Sequence, residues 1–239
     1  MRVNVRTSRI SAVVAAGALS TLLVVSVGGA STGEPARNSA TAGVAAATAS
    51  HDMAQMATLP RTRSQAALYR AMRELWVQHM EWTYATVAAF AQDSPGLDAT
   101  LARLLRNQVD IGDAFKPFYG TKAGHRLTVL LRTHINDAVP VLVAARNGDT
   151  AAFNKAEKAW YANAKRIADF LAAANPHWGK RAMEKMMKTH ITQTTAYAAD
   201  QLQGHYARSI RDYGRAESHM MQMADMLSAG LIKQFPRKF

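Results

Sequence analysis

Residues 68–90 read LYRAMRELWVQHMEWTYATVAAF, and the spacing of their large apolar side chains decides the fold. Steps of three and four residues connect one series along this stretch: Leu68, Met72, Leu75, His79, Trp82, Thr86 and Phe90. Residues at that spacing share one face of an α-helix. The series therefore predicts a helix whose buried face carries a single imidazole, that of His79, near its midpoint.

Five further stretches repeat this pattern, and each has a polar group near its midpoint, on the apolar face or, in the last stretch, at the edge of that face. These groups are Gln108 beside Asn107, then His134, Asn163, His190 and His219. A buried polar side chain costs a few kcal/mol unless it finds a partner. Polar groups at the same depth in six helices therefore predict one layer across the core, which holds a bound ion, a cofactor or a closed hydrogen-bond network.

Residues that end helices separate the six stretches. They are Ser94-Pro95-Gly96, Pro117 with Tyr119-Gly120, Asn147-Gly148-Asp149, Asn175-Pro176 and Gln203-Gly204. Proline and glycine interrupt or terminate helices, and aspartate begins them. The predicted fold is all-α, a single bundle of about six antiparallel helices joined by short loops.

The first thirty residues predict export. Arg2, Arg6 and Arg9 precede an uncharged run that ends in Gly28-Gly29-Ala30, as in a signal peptide. We expect a signal peptide over residues 1–30, with an uncleaved N-terminal anchor as the alternative, and a secreted or cell-envelope protein. Residues 31–62 are rich in Ala, Ser and Thr and predict a flexible linker. Residues 63–239 then form the bundle domain.

The chain is basic, with a formal net charge of +12. A basic exported protein is attracted to anionic polymers of the envelope or to lipid head groups. Specific binding of nucleic acid is not favoured, because no recognised nucleic-acid module accompanies the charge. The oligomeric state stays open.

The polar layer suggests a transition metal ion, since imidazole is the commonest protein ligand for such metals. The candidate ligands are His79, His134, His190 and His219. The candidate supporting residues, which would orient the ligands or add donors, are Asn107, Gln108, Asp110, Asn163, Met223 and Asp225. Methionine-rich last helices favour copper over zinc or iron. Haem is not favoured, because the chain lacks cysteine and therefore the Cys-x-x-Cys-His attachment motif.

Two alternatives remain open at this point. In the first, the protein is a metal-free structural or binding protein of the cell envelope, and the layer is a hydrogen-bond network that fixes helix register. In the second, the protein is an enzyme that uses His79 with Asp110, or His219 with Asp225, as a polarised imidazole. No recognised catalytic motif surrounds either pair, so a non-enzymatic role is favoured.

Three motifs resemble an exported all-helical bacterial family of unassigned function. They are LW-x-x-H-x-x-WT at residues 75–83, RLL-x-NQ-x-DIG at residues 103–112, and H-x-x-x-MADMLS at residues 219–228. The resemblance covers most of residues 65–239. It implies an exported helical domain and no established activity, cofactor or catalytic residue, and it directs attention to Asn107, Asp110 and Asp225 as companions of the histidines.

Overall fold

A computed structural model describes residues 60–239, and this part of the chain is entirely helical apart from its short connections. The helices are α1 (Arg63–Ala91), α2 (Leu97–Asn147), α3 (Thr150–Ala174), α4 (Lys180–Leu202) and α5 (Tyr206–Gln234), followed by a 3-10 turn at Pro236–Lys238. The all-α prediction is confirmed for these residues. The predicted signal peptide and most of the predicted linker lie outside them.

The helices number five rather than about six, because α2 runs for 51 residues and bends back on itself. Gly120 is its one residue with non-helical dihedral angles, with φ at 83° and ψ at 164°. Gly112 and Gly124 pack together across the bend: a Cβ atom on Gly112 would lie 2.7 Å from the Gly124 carbonyl oxygen. In a straight helix these residues would be about 18 Å apart. Helix α2 therefore supplies two neighbouring arms to the bundle.

Local chemistry sets the ends of the helices. The Thr62 hydroxyl accepts a hydrogen bond from the Gln65 N–H at 3.1 Å and caps the start of α1. Gly148 takes a φ of 67° and ends α2, as glycine allows without strain. The Asp149 carboxylate then accepts a bond from the Ala152 N–H at 2.9 Å and caps α3.

Two sets of contacts mark the opposite ends of the bundle. At one end Arg146 donates to Asp93 at 2.7 Å, and its guanidinium lies 3.6 Å from the centre of the Phe90 ring. We call this the Arg146 end. At the other end Tyr119 donates to Gln234 at 2.6 Å and accepts a bond from Asn175 at 3.0 Å. We call this the Tyr119 end.

Helix α2 is the one helix among residues 60–239 that is long and apolar enough to cross a membrane, by length and composition only. A core helix of a bundle satisfies the same criterion. Leu104, Ile111, Leu127, Leu131 and Val141 of α2 are buried within this fold. The length and composition of α2 therefore do not identify it as a membrane span.

Candidate functional site

Three imidazole rings meet halfway along the bundle. His79 on α1 and His190 on α4 have ring centres 5.6 Å apart, and His190 and His134 on α2 have ring centres 5.9 Å apart. All three side chains are buried. The helical periodicity that places them on the apolar faces thus brings three of the four predicted histidines together.

Carboxamides fix the orientation of two of these rings. The Asn163 NH2 group donates to the Leu130 carbonyl at 3.2 Å, so its Oδ1 atom faces the Nδ1 atom of His134 at 3.0 Å. Nδ1 of His134 must then carry the proton, because a carboxamide oxygen can only accept. This assignment leaves the Nε2 atom of His134 as a hydrogen-bond acceptor.

His79 is oriented in the opposite sense. The Gln108 NH2 group donates to the Leu104 carbonyl at 2.9 Å and lies 3.2 Å from Nδ1 of His79, which therefore accepts. Asn107, next to Gln108, donates to the Leu75 carbonyl at 3.0 Å and ties α2 to α1. The tautomers of His79 and His134 thus follow from the amide groups that face them.

Burial keeps the three imidazoles uncharged. It lowers the pKa of His79 to about 3, with a further contribution from His134, and it lowers the pKa of His134 to about 4. It also holds the pKa of His190 well below the usual value, and the neighbouring histidines add to this effect. At neutral pH each ring therefore offers one N–H donor and one lone-pair acceptor.

Hydrogen-bonding capacity is left over in this layer. Within residues 60–239, the Nε2 atom of His134, the Nδ1 atom of His190 and the Oε1 atom of Gln108 are buried and have no hydrogen-bond partner. An unpaired buried polar atom costs about 1–3 kcal/mol. The hydrogen bonding of this layer is therefore incomplete within the described residues.

A cavity of about 120 Å³ adjoins the three rings on the side of the Arg146 end. Apart from the histidines and four threonines, its walls are apolar and include Leu101, Leu104, Ala138, Val141, Leu142, Phe153, Trp160 and Ala198. The Thr83 and Thr86 hydroxyls donate to the His79 and Trp82 carbonyls of their own helix, at 2.6 and 2.7 Å. These two hydroxyls are therefore already satisfied.

A smaller void lies in the other half of the core. Between the histidines and the Tyr119 end it measures about 20 Å³, and Met72, Met187 and Met223 lie along it. The cavity on the Arg146 side has no methionine in its wall, and it includes the exposed Val139 and Ala145. The larger cavity thus extends from the imidazoles toward the surface between the helices.

The fourth predicted histidine and the predicted aspartates lie elsewhere. His219 is half-buried and its Nε2 atom donates to the Met186 carbonyl at 3.0 Å. Asp225 pairs with Arg73, which donates from Nε at 2.7 Å, and Asp110 pairs with Arg106 at 3.0 Å. Neither the His79–Asp110 pair nor the His219–Asp225 pair is among the hydrogen bonds of the described residues.

The part of the chain that the structure describes contains no group of three or more His, Asp or Glu side chains that could hold a metal ion. Met223, the predicted thioether donor, lies along the small void on the opposite side of the histidines from the larger cavity. Metal binding therefore stays a prediction, and the larger cavity offers no thioether to support copper.

The sizes of the side chains before and after His134 are a sequence signal for the cavity, and the prediction from polar residues did not use it. Leu127 and Leu131 precede His134 on its face of α2, whereas Ala138, Val141 and the exposed Ala145 follow it. Small side chains after the histidine leave space on that side. The Trp160 ring packs beside the layer, 5.3 Å from the ring of His134.

No family model, curated protein sequence or solved structure matches this chain at a significant level. The function is therefore argued from the site alone.

Proposed function

We propose that the bundle binds a small, uncharged and mainly apolar molecule in the cavity beside His79, His134 and His190, and that it does so outside the cytoplasm. The observation that carries this proposal is the pair of unpaired imidazole nitrogens, Nε2 of His134 and Nδ1 of His190, next to a cavity of about 120 Å³. Both histidines are among the residues that line this cavity.

The chemistry of the walls limits the ligand. A charged group would lose its hydration in a site whose three histidines are neutral and whose other walls are apolar, which is costly without a counter-charge. The volume is comparable to that of an engineered cavity of about 150 Å³ that binds benzene. The ligand is therefore of the size of a single small ring or a short branched chain.

The unpaired nitrogen of His134 adds a polar requirement. Because Nε2 is an acceptor, a ligand hydroxyl or N–H group can donate to it and remove the cost of leaving it unpaired. A molecule with one such group on an apolar body matches the cavity better than a pure hydrocarbon does. Small phenols and alcohols belong to this class.

Calorimetric titration with phenol and with toluene tests the proposal. The ratio of the two affinities should fall about fivefold in His134→Phe, since one hydrogen bond contributes about 1 kcal/mol and the ring shape is kept. His125→Phe is the matched control, because His125 is exposed on α2 and is not in the cavity wall. Thermal unfolding of each variant checks that it is folded.

A second variant keeps the proposal testable if His134→Phe does not fold. His190→Phe removes a ring whose Nδ1 atom has no partner, so no hydrogen bond to that atom is lost. If neither probe binds the unmodified protein, or if the affinity ratio is the same in all variants, the ligand proposal fails. The structural alternative then remains, in which the polar layer sets helix register.

A transition metal ion is the second candidate. It is favoured by one observation, the Asn163 carboxamide oxygen that accepts from Nδ1 of His134 and leaves the Nε2 lone pair of that ring free, because such a partner on the second nitrogen orients a metal-ligating imidazole. Mass spectrometry of protein purified without chelator tests it. Near-stoichiometric metal that is lost in His79→Ala/His134→Ala would support this candidate, and retention of metal by that variant would exclude these ligands.

A further inference from the structure

A second concave surface lies at the Tyr119 end, far from the histidine cavity along the helices. It is a groove of about 600 Å³ between the first turns of α1 and the last turns of α5, closed on one side by the α3–α4 connection. Its polar side chains are Tyr69, Arg70, Arg73, His177, Gln222, Asp225 and Lys233. We call it the basic groove.

Two helices present these side chains by simple periodicity. Arg70 and Arg73 are one turn apart on α1, and Gln222, Met226, Ala229 and Lys233 follow one another on α5 in steps of three and four. His177 enters from the connection between α3 and α4 and is exposed. Cationic side chains from α1 and α5 thus line one concavity, together with His177 from the connection.

The charge of the groove is not balanced. Its one carboxylate, Asp225, is engaged by Arg73, which donates from Nε at 2.7 Å. Within residues 60–239, no carboxylate lies within ion-pair distance of Arg70 or Lys233. Two cations therefore face the groove without an internal counter-charge, beside an ion pair that is neutral overall.

We propose that the basic groove binds a phosphate ester. Arginine and lysine are the side chains that recognise phosphate, the first through a planar fork of donors and the second as a point charge. Arg73 uses Nε and Nη2 for its two hydrogen bonds to Asp225, so its Nη1 group takes no part in these bonds. Met226 and Ala229 give the groove an apolar portion, on which the organic part of the ester lies.

The site is separate from the histidine cavity and does not depend on the function proposed for it. A free phosphate ester and the head group of an anionic lipid share the chemistry that the groove recognises. The test therefore uses three probes on the full chain: glycerol phosphate, vesicles of phosphatidylglycerol, and vesicles of phosphatidylcholine as the zwitterionic reference.

The decisive variant is Arg70→Gln/Lys233→Gln, and its matched control is Lys185→Gln/Lys188→Gln on the exposed side of α4. Both variants lose two positive charges, so they have the same net charge and differ only in where the charge is removed. We expect the groove variant to bind the phosphate probe at least about tenfold more weakly, as for the loss of charge-assisted hydrogen bonds. The control should change the affinity less than about twofold, since distant surface charges are largely screened.

Each outcome has a definite meaning. Groove-dependent binding of glycerol phosphate supports the proposal with a soluble ester as ligand. Groove-dependent binding of phosphatidylglycerol vesicles alone supports it with a lipid head group as ligand. Equal weakening in both variants, binding to phosphatidylcholine as strong as to phosphatidylglycerol, or no binding of any probe overturns it.

Discussion

The imidazoles of His134 and His190 lie 5.9 Å apart in the buried core, and each has a nitrogen atom without a hydrogen-bond partner. They do not satisfy each other, although both rings are neutral and could form a donor–acceptor pair at a shorter distance. The cavity beside the two rings provides space for a third group.

Acid should destabilise the protein through the buried histidines. The pKa of His134 is lowered to about 4 and that of His79 to about 3, whereas unfolded histidine has a pKa of about 6.5. Below that pH the unfolded chain binds protons that the folded chain does not, so stability falls as the pH falls. We expect a loss of about 1.4 kcal/mol per pH unit for each histidine between about pH 6 and 4.5.

Urea unfolding at a series of pH values measures this dependence. In His134→Phe, the slope of the unfolding free energy against pH should decrease by the contribution of one histidine, about 1.4 kcal/mol per pH unit. A free energy that is constant from pH 7 to pH 4.5 would show that the imidazoles are not held neutral by burial.

Asn163 should be one of the least replaceable residues of the layer. It is fully buried, it accepts from His134 at 3.0 Å, and it donates to the Leu130 carbonyl at 3.2 Å. Asn163→Leu would leave Nδ1 of His134 unpaired, whereas the Leu130 carbonyl keeps the backbone bond of its own helix, so we expect a cost of about 1–3 kcal/mol in unfolding free energy.

A double-mutant cycle separates this effect from a change in packing. Adding His134→Phe to Asn163→Leu removes the unpaired ring N–H, so the double variant should be more stable than the sum of the two single changes predicts. Strict additivity would argue against the His134–Asn163 hydrogen bond.

Two alanines should respond in opposite ways to enlargement. Ala138 lies in the wall of the cavity, whereas Ala168 is fully buried and lines neither void. Ala138→Leu places atoms in empty space, so it should leave stability unchanged or raised and should weaken phenol binding. Ala168→Leu overpacks the core and should cost about 1–3 kcal/mol.

Thermal unfolding and titration with phenol measure both responses. If Ala138→Leu binds phenol as tightly as the unmodified protein does, the probe occupies some other site. If Ala138→Leu is as destabilised as Ala168→Leu, the cavity is not available for filling.

The contact between the arms of α2 can be tested at a single glycine. A Cβ atom on Gly112 would lie 2.0 Å from the Thr128 hydroxyl oxygen and 2.7 Å from the Gly124 carbonyl oxygen. Gly112→Ala must therefore push the arms apart, and we expect it to destabilise the protein by about 1–3 kcal/mol.

Gly214 provides the matched control, because a Cβ atom there meets nothing within 4 Å and the residue lies inside α5. Gly214→Ala should stabilise the protein by about 0.5–1 kcal/mol through the higher helix propensity of alanine. Denaturant unfolding compares the two variants, and equal effects would contradict the close approach of the arms.

Helical periodicity was enough to predict the fold class and the depth of the polar layer. His79, His134 and His190 occupy the middle of their apolar faces, and short connections leave antiparallel packing as the simple arrangement. The same reasoning was weaker for His219, which lies at the edge of its stripe and bonds the backbone of α4. A residue at the edge of a helical face points into the core or along the interface according to neighbours that a single helix does not specify.

Two other features depend on the assembled molecule. Arginine side chains are long enough to reach carboxylates on neighbouring helices, so the pairing of Asp225 with Arg73 cannot be inferred from spacing along one helix. The cavity is the space left by side chains from four helical segments, and its size depends on how all of them pack. Ala138 and Ala145 pointed to its location, but the volume is a property of the tertiary structure.

The nitrogen resonances of His134 test the central proposal most directly. In protein labelled with ¹⁵N-histidine, we predict that Nδ1 is protonated, that Nε2 is not, and that the Nε2 resonance shifts when phenol is added while the resonances of the exposed His125 stay in place. An Nε2 resonance that does not change at saturating phenol, or that is already that of a protonated nitrogen, would contradict a vacant acceptor at the wall of the cavity.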